Sequence, residues 1–157
     1  ARAMTRGLVE LGILRGDPEE LAMEGAHALF FPHGVGHLLG LDVHDMEDLG
    51  NLAGYPPGRE RETQFGLNAL RLDRELMPDM AVTIEPGFYQ VPALLRDGEK
   101  LGLPVSAIDR KTLAGFGDVR GIRIEDDVLV KTAGHEIMTD SLPRDADTVA
   151  LLAQHAR

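Results

Sequence analysis

The chain is 157 residues long, the length of one ordinary domain and enough to bury a core. It has no cysteine, which excludes disulfides and thiolate metal sites, and its formal net charge of −10 disfavours binding to nucleic-acid phosphates. No apolar run approaches the roughly 20 residues that cross a bilayer, and no apolar stretch accompanies Arg2 and Arg6 as a signal segment would require.

The first predicted element is a helix over 4–14, with Leu8, Leu11, Ile13 and Leu14 as its apolar stripe. Gly16 breaks it. Asp17 then reads as an N-cap, with Pro18 at the first helical position and Glu20 three residues after the cap. This second helix is expected to reach Phe30, and Pro32 stops it. Segment 31–45, FPHGVGHLLGLDVHD, holds too much glycine for a long helix and reads as extended structure or turns. Residues 46–68 read as a long loop. Ala81–Ile84 is a strand candidate ended by Pro86 and Gly87. Residues 92–118 look irregular with one short helix. Residues 121–131 and 135–139 read as a hairpin around Ala133 and Gly134, and 145–156 as a terminal helix. The fold class is α+β with antiparallel hairpins.

Three histidines, His33, His37 and His44, fall within twelve residues. The first two have the spacing of a helical zinc pair. That motif needs glutamate directly after the first histidine, whereas Gly34, Val35 and Gly36 stand here and disfavour a helix. On an extended backbone the three can still converge, since neighbouring glycines allow close ligand approach. His27, His135 and His155 read as structural or surface histidines.

Two glutamates end apolar strands. In the first, Thr83 and Glu85 share one face, with Val82 and Ile84 on the other. In the second, Arg123 and Glu125 share a face opposite Ile122 and Ile124. The plainer readings are a solvated strand end for Glu85 and a salt bridge with Arg123 for Glu125. One histidine and two glutamates brought together would form a hard, oxygen-rich site suited to Mn²⁺ or Co²⁺, with Zn²⁺ or Fe²⁺ as alternatives.

The segments PHGVGHLLGLDVHD, TIEPGFY and GIRIEDD stand in the order of the three signature segments of the metallopeptidases with the pita-bread fold. The chain resembles the Xaa-Pro aminopeptidase and prolidase branch of that group over nearly its whole length. The resemblance implies a pita-bread fold, incomplete and mainly its C-terminal half, so that 1–157 is expected to be the C-terminal portion of a catalytic domain whose N-terminal part is absent. It implies metal ligation by His37, Glu85 and Glu125 around two divalent ions, Mn²⁺ first. Glu85 would also assist the attacking water. His33 and His44 match histidines that contact substrate and stabilise the tetrahedral intermediate. Arg123 resembles an arginine behind the bridging carboxylate. Arg71 resembles the arginine that receives a dipeptide's free carboxylate, against the plainer reading of a solvated residue beside Asp73 and Glu75. Tyr89 resembles a tyrosine near the site.

The expected reaction is hydrolysis of the peptide bond preceding proline, with proline-containing peptides or dipeptides as partners. A homo-oligomer, a cytoplasmic location and no nucleic-acid or membrane partner complete the expectation. The family uses five ligands, two of them aspartates from an earlier segment. None of Asp42, Asp45, Asp126 or Asp127 matches that pair. Two alternatives stay open: a non-catalytic binding module, and a metal-free C–N hydrolase of the creatinase type.

Overall fold

In the computed structural model, which describes residues 1–155, short helices supply most of the core and two small antiparallel sheets carry the second and third signature segments. Helix α1 (Arg2–Glu10) buries Thr5 and Leu8. It is shorter than its apolar stripe predicts, because Gly12 turns left-handed at φ +70°. Ile13 and Leu14 are then buried from an extended stretch, where Leu14 bridges to Ile108, while Leu11 is exposed.

Helix α2 (Pro18–Met23) starts as expected. The Asp17 carboxylate accepts the backbone N–H groups of Glu19 and Glu20, each at 3.0 Å, a cap worth about 1 kcal/mol. The helix does not continue to Phe30. Gly25, at φ +81°, breaks it, and Ala26–Leu29 form a 3₁₀ turn with all four residues buried. Phe30 is buried next in line and stacks on Phe88 at 5.3 Å.

The loop expected over 46–68 contains a 3₁₀ turn at Glu47–Leu49 and the single-turn helix α3 (Asn51–Gly54). Region 92–118 is more helical than its sequence suggests. Helix α4 (Pro92–Asp97), 3₁₀ turns at Gly98–Leu101 and Val105–Ala107, and helix α5 (Arg110–Ala114) follow one another. This region buries Leu94, and its Leu103, Val105, Ile108 and Leu113 close the core over α1 and α2. Helix α6 (Ala146–His155) ends the described chain, and Ala156, its predicted last residue, lies outside it. No helix among the described residues is long and apolar enough to cross a membrane.

Strand β1 (Ala81–Ile84) forms where predicted, and β2 (Gly87–Tyr89) follows two residues later. The strand expected over 121–131 splits into β3 (Gly121–Arg123) and β4 (Asp126–Val130), and β4 turns back into β5 (His135–Ile137). Strands β1, β4 and β5 make one sheet with β4 in the middle, while β2 and β3 make the other. Ile84 faces Asp126 before the split and Gly87 faces Arg123 after it, so both sheets keep one register. Glu85 therefore lies across from Glu125, and Pro86 across from Ile124. Pro86 accepts the Ile124 N–H at 3.2 Å but has no N–H to return, so the ladder lapses at this point.

His27 sits buried within the 26–29 turn, and its Nδ1 has no hydrogen-bond partner. Burial pushes its pKa down to about 4. The unfolded chain takes up this proton near pH 6.5, while the folded chain refuses it until about pH 4. Stability should therefore fall as pH drops through that window, by about 2 kcal/mol at pH 5. Urea midpoints at pH 7 and pH 5 measure the loss, and His27→Gln should flatten the slope. An unchanged slope in that variant would place the effect elsewhere.

Candidate metal centre

Residues 35–39 run along the free edge of β1. The Thr83 N–H donates to the His37 carbonyl at 2.9 Å, the Glu85 N–H to Val35 at 2.7 Å, and the Leu39 N–H to Ala81 at 2.9 Å. Strand β1 thus lies between the histidine segment and β4. The close approach depends on Gly36, where a Cβ would stand 2.0 Å from the Thr83 carbonyl oxygen. Gly36→Ala is therefore expected to cost about 1–3 kcal/mol, because backbone must shift. Gly34→Ala should cost less, since its Cβ would first meet the flexible Leu70 side chain at 3.1 Å. Urea denaturation of both variants checks the order; equal losses would refute it.

The pairing holds His37 against Glu85. The Thr83 hydroxyl accepts the His37 backbone N–H at 3.1 Å and lies 3.5 Å from Glu85 Oε1, to which it donates. The His37 ring donates from Nδ1 to the Leu38 carbonyl at 2.9 Å. This fixes the tautomer of the neutral ring and leaves Nε2 facing Glu85 Oε1 at 3.3 Å. His37 and Glu85 are both buried.

Glu125 comes from the break between β3 and β4 and is exposed. One ligand atom from each of His37, Glu85 and Glu125 lies within 4.8 Å of the others. Arg123 Nη1 donates to Glu85 Oε2 at 2.5 Å, and its Nε is 3.6 Å from Glu125 Oε2. The guanidinium offsets the repulsion between the two carboxylates. In the neutral ring form, the lone pair of Nε2 and the carboxylate oxygens converge with no proton of their own to share. That donor set fits a divalent cation of the oxygen-preferring kind.

Other residues singled out in the sequence fall around this group. His44 packs edge-on against His37, with ring centroids 4.5 Å apart, and its Nδ1 is 3.4 Å from Glu47 Oε2. Its pKa is lowered, first by desolvation and then by the charges of Arg71 and His37, against the opposing pull of Glu85 and Glu125. Arg71 is exposed and ion-pairs with Glu47 rather than with Asp73, which pairs with Arg59 at 2.9 Å. Arg71 lines the same cleft as His37 and His44.

His33 makes a separate contact: Nδ1 donates to the Gly34 carbonyl at 2.7 Å, and the Tyr89 hydroxyl donates to Nε2 at 3.2 Å. Among the described residues, no aspartate joins the His37, Glu85 and Glu125 group. Asp126 is held instead by Arg144 and Thr139, whose hydrogen bonds lower its pKa.

Two functional neighbours escaped the sequence reading. Thr83 was placed on the Glu85 face but given no role, and that placement was the signal. Glu47 lies three residues after His44 in a loop rich in charge, and only the fold shows what it meets.

A model of metallopeptidase family M24 matches residues 3–132. The Xaa-Pro dipeptidase of Homo sapiens is 39% identical over 142 residues, which cover 90% of this chain and 27% of that protein. A probable Xaa-Pro aminopeptidase of Uncinocarpus reesii is 38% identical over 149 residues, covering 95% of this chain and 29% of that protein. Among solved structures, the Pseudomonas aeruginosa aminopeptidase PepP superposes with a TM-score of 0.62 at 36% identity, covering 98% of this chain and 27% of that one. A zinc-substituted E. coli aminopeptidase P in complex with product gives 0.58 at 33% identity, covering 99% and 27%. The chain thus spans little more than a quarter of the length of these relatives.

Proposed function

The chain belongs to metallopeptidase family M24, and from that premise we propose that it supplies His37, Glu85 and Glu125 to the metal centre of a peptidase cutting the bond that precedes proline. Its fold is the pita-bread fold of the aminopeptidase P structures it resembles. The observation that carries the proposal is the meeting of the three ligand atoms within 4.8 Å. Both named relatives are Xaa-Pro peptidases, one a dipeptidase and one a probable aminopeptidase.

When bound, the divalent ions supply Lewis-acid polarisation of the scissile carbonyl and lower the pKa of water. The rest of the chemistry falls to side chains. Glu85, whose Oε1 lies 3.3 Å from His37 Nε2, takes the proton of the attacking water and later passes it to the leaving nitrogen. Arg123 holds the Glu85 carboxylate in place by its hydrogen bond to Oε2. His44 and His33 contact the substrate, and one of them donates to the oxygen that gains charge. Arg71 receives a free substrate carboxylate. The oxygen-rich donor set favours Mn²⁺, and the absence of cysteine suits the reducing cytoplasm.

The resemblance calls for five ligands, and three meet here. The remaining two carboxylates belong to a segment outside residues 1–155. A site missing two charged ligands loses several kcal/mol of metal affinity. Titration calorimetry with Mn²⁺ should therefore find weak binding to the 157-residue chain, abolished by Glu125→Gln. Hydrolysis of glycyl-proline should appear only when a segment bearing the two aspartates is also present. Robust turnover by the chain alone would overturn the ligand count, and no Mn²⁺ binding at all would overturn the site.

A further inference from the structure

The cleft beside the candidate metal centre already contains a carboxylate of the chain itself. Glu47 bridges two groups: its Oε1 accepts from Arg71 Nη1, and its Oε2 stands 3.4 Å from His44 Nδ1. Both contacts lie on the cleft that His37 also lines. The second guanidinium there, Arg61, is committed elsewhere. It donates to Asn51 Oδ1 at 2.8 Å and to the Leu70 carbonyl at 2.5 Å, and it lies 4.9 Å over the Tyr55 ring. Arg71 is thus the arginine of this cleft whose side chain is held by a carboxylate alone.

The two partners are held differently. The backbone at Arg71 is pinned against α3: a Cβ on Gly54 would stand 2.0 Å from the Arg71 carbonyl oxygen, and the Asp73 N–H donates to Gly54 at 2.7 Å. The Tyr55 hydroxyl also donates to the Leu70 carbonyl at 2.8 Å. Glu47 follows Met46, one of two non-glycine residues with positive φ among the described residues, at +57°. That turn directs the Glu47 carboxylate across the cleft, at the conformational cost such a backbone carries for a residue with a side chain.

We propose that Glu47 is a specificity-determining residue: its carboxylate occupies Arg71 in place of a substrate carboxylate, so a free substrate C-terminus binds by displacing it. The inference rests on the peptidase reading for the identity of the substrate. The exchange itself needs only a carboxylate and a guanidinium. An intramolecular carboxylate competes at an effective concentration in the millimolar range. A short peptide with millimolar affinity is held off, and a ligand without a carboxylate is unaffected. Glu47→Gln keeps the shape and removes the charge that competes.

The test is nuclear magnetic resonance of the Arg71 Nε–Hε group in the 157-residue chain, titrated with glycyl-proline and with glycyl-prolinamide. Glu47→Gln should bind glycyl-proline about three- to tenfold more tightly than the wild-type chain. Glycyl-prolinamide should show no gain, and adding Arg71→Gln should remove the gain for glycyl-proline. Unchanged or weaker binding of glycyl-proline in Glu47→Gln overturns the proposal, as does no detectable binding or an equal gain for the amide. Hydrolysis assayed in parallel, with Mn²⁺ and the aspartate-bearing segment, separates the two readings. Tighter binding without any hydrolysis would leave the exchange standing and sink the peptidase assignment.

Discussion

Glu85→Gln is expected to lower kcat for Xaa-Pro substrates by about 10²–10⁴-fold when all metal ligands are present, the range spanned by a positioned general base. The variant is close to isosteric. Glutamine can keep its oxygen toward Arg123 and turn its NH2 toward Thr83 Oγ1, which lies 3.5 Å from the native Oε1. What it loses is the negative charge that balances Arg123 and the capacity to take a proton at Oε1. Because Glu85 is buried beside His37, no bulk water sits ready to replace it as proton acceptor. Mn²⁺ affinity should fall together with kcat, since Glu85 stands in the candidate ligand group. Circular dichroism and a urea midpoint near the wild-type value would show that the fold survives. Activity within threefold of wild type would remove Glu85 from the chemistry.

Arg71→Ala should produce a loss that depends on substrate length. A charge-assisted pair between guanidinium and carboxylate is worth about 1.5–3 kcal/mol. Xaa-Pro dipeptides, whose carboxylate belongs to the proline itself, should lose more than tenfold in kcat/KM. Longer peptides carry that carboxylate elsewhere and should lose much less. Arg71 is exposed and its partner is Glu47, so the substitution should disturb the fold little. Equal losses for both lengths, or none for either, would refute the assignment and favour an aminopeptidase.

Much of this arrangement could be read from the sequence, for reasons that differ by element. Strand β1 was legible because four residues of high strand propensity stop at Pro86 and Gly87. The β4–β5 hairpin was legible because Gly134, at φ +79°, supplies its turn. The Asp17 cap was legible from its own chemistry. His37, Glu85 and Glu125 stood out because each follows or ends a segment whose pattern is recognisable, and the fold brings all three together.

The misreadings share one cause, which is that tertiary contacts overrode local pattern. Leu11, Ile13 and Leu14 look like one helical stripe, yet Ile13 and Leu14 are buried only because the chain leaves the helix at Gly12 and reaches Ile108. Leu94, Leu103, Val105, Ile108 and Leu113 follow no period because four short helical pieces and the connections between them present them in turn. The break between β3 and β4 could not be seen in 121–131 itself, since the residue that lacks an N–H there, Pro86, belongs to the opposite segment. Glu47 escaped for a related reason: its partner Arg71 comes from another loop.

The single register shared by the two sheets also bears on which changes to the gene the site would tolerate. Glu85 and Glu125 face each other because the residues on both sides of the break keep count across two strands. Point substitutions along these strands leave that count intact. Loss or gain of one codon between 81 and 89, or between 121 and 130, moves one strand by a single step and turns its carboxylate to the wrong face. Lengthening the 131–134 turn leaves the pairing of β1 with β4 untouched. Away from Glu85, Arg123 and Glu125, drift by substitution is therefore open to these strands, and drift by insertion or deletion is confined to the turns between them.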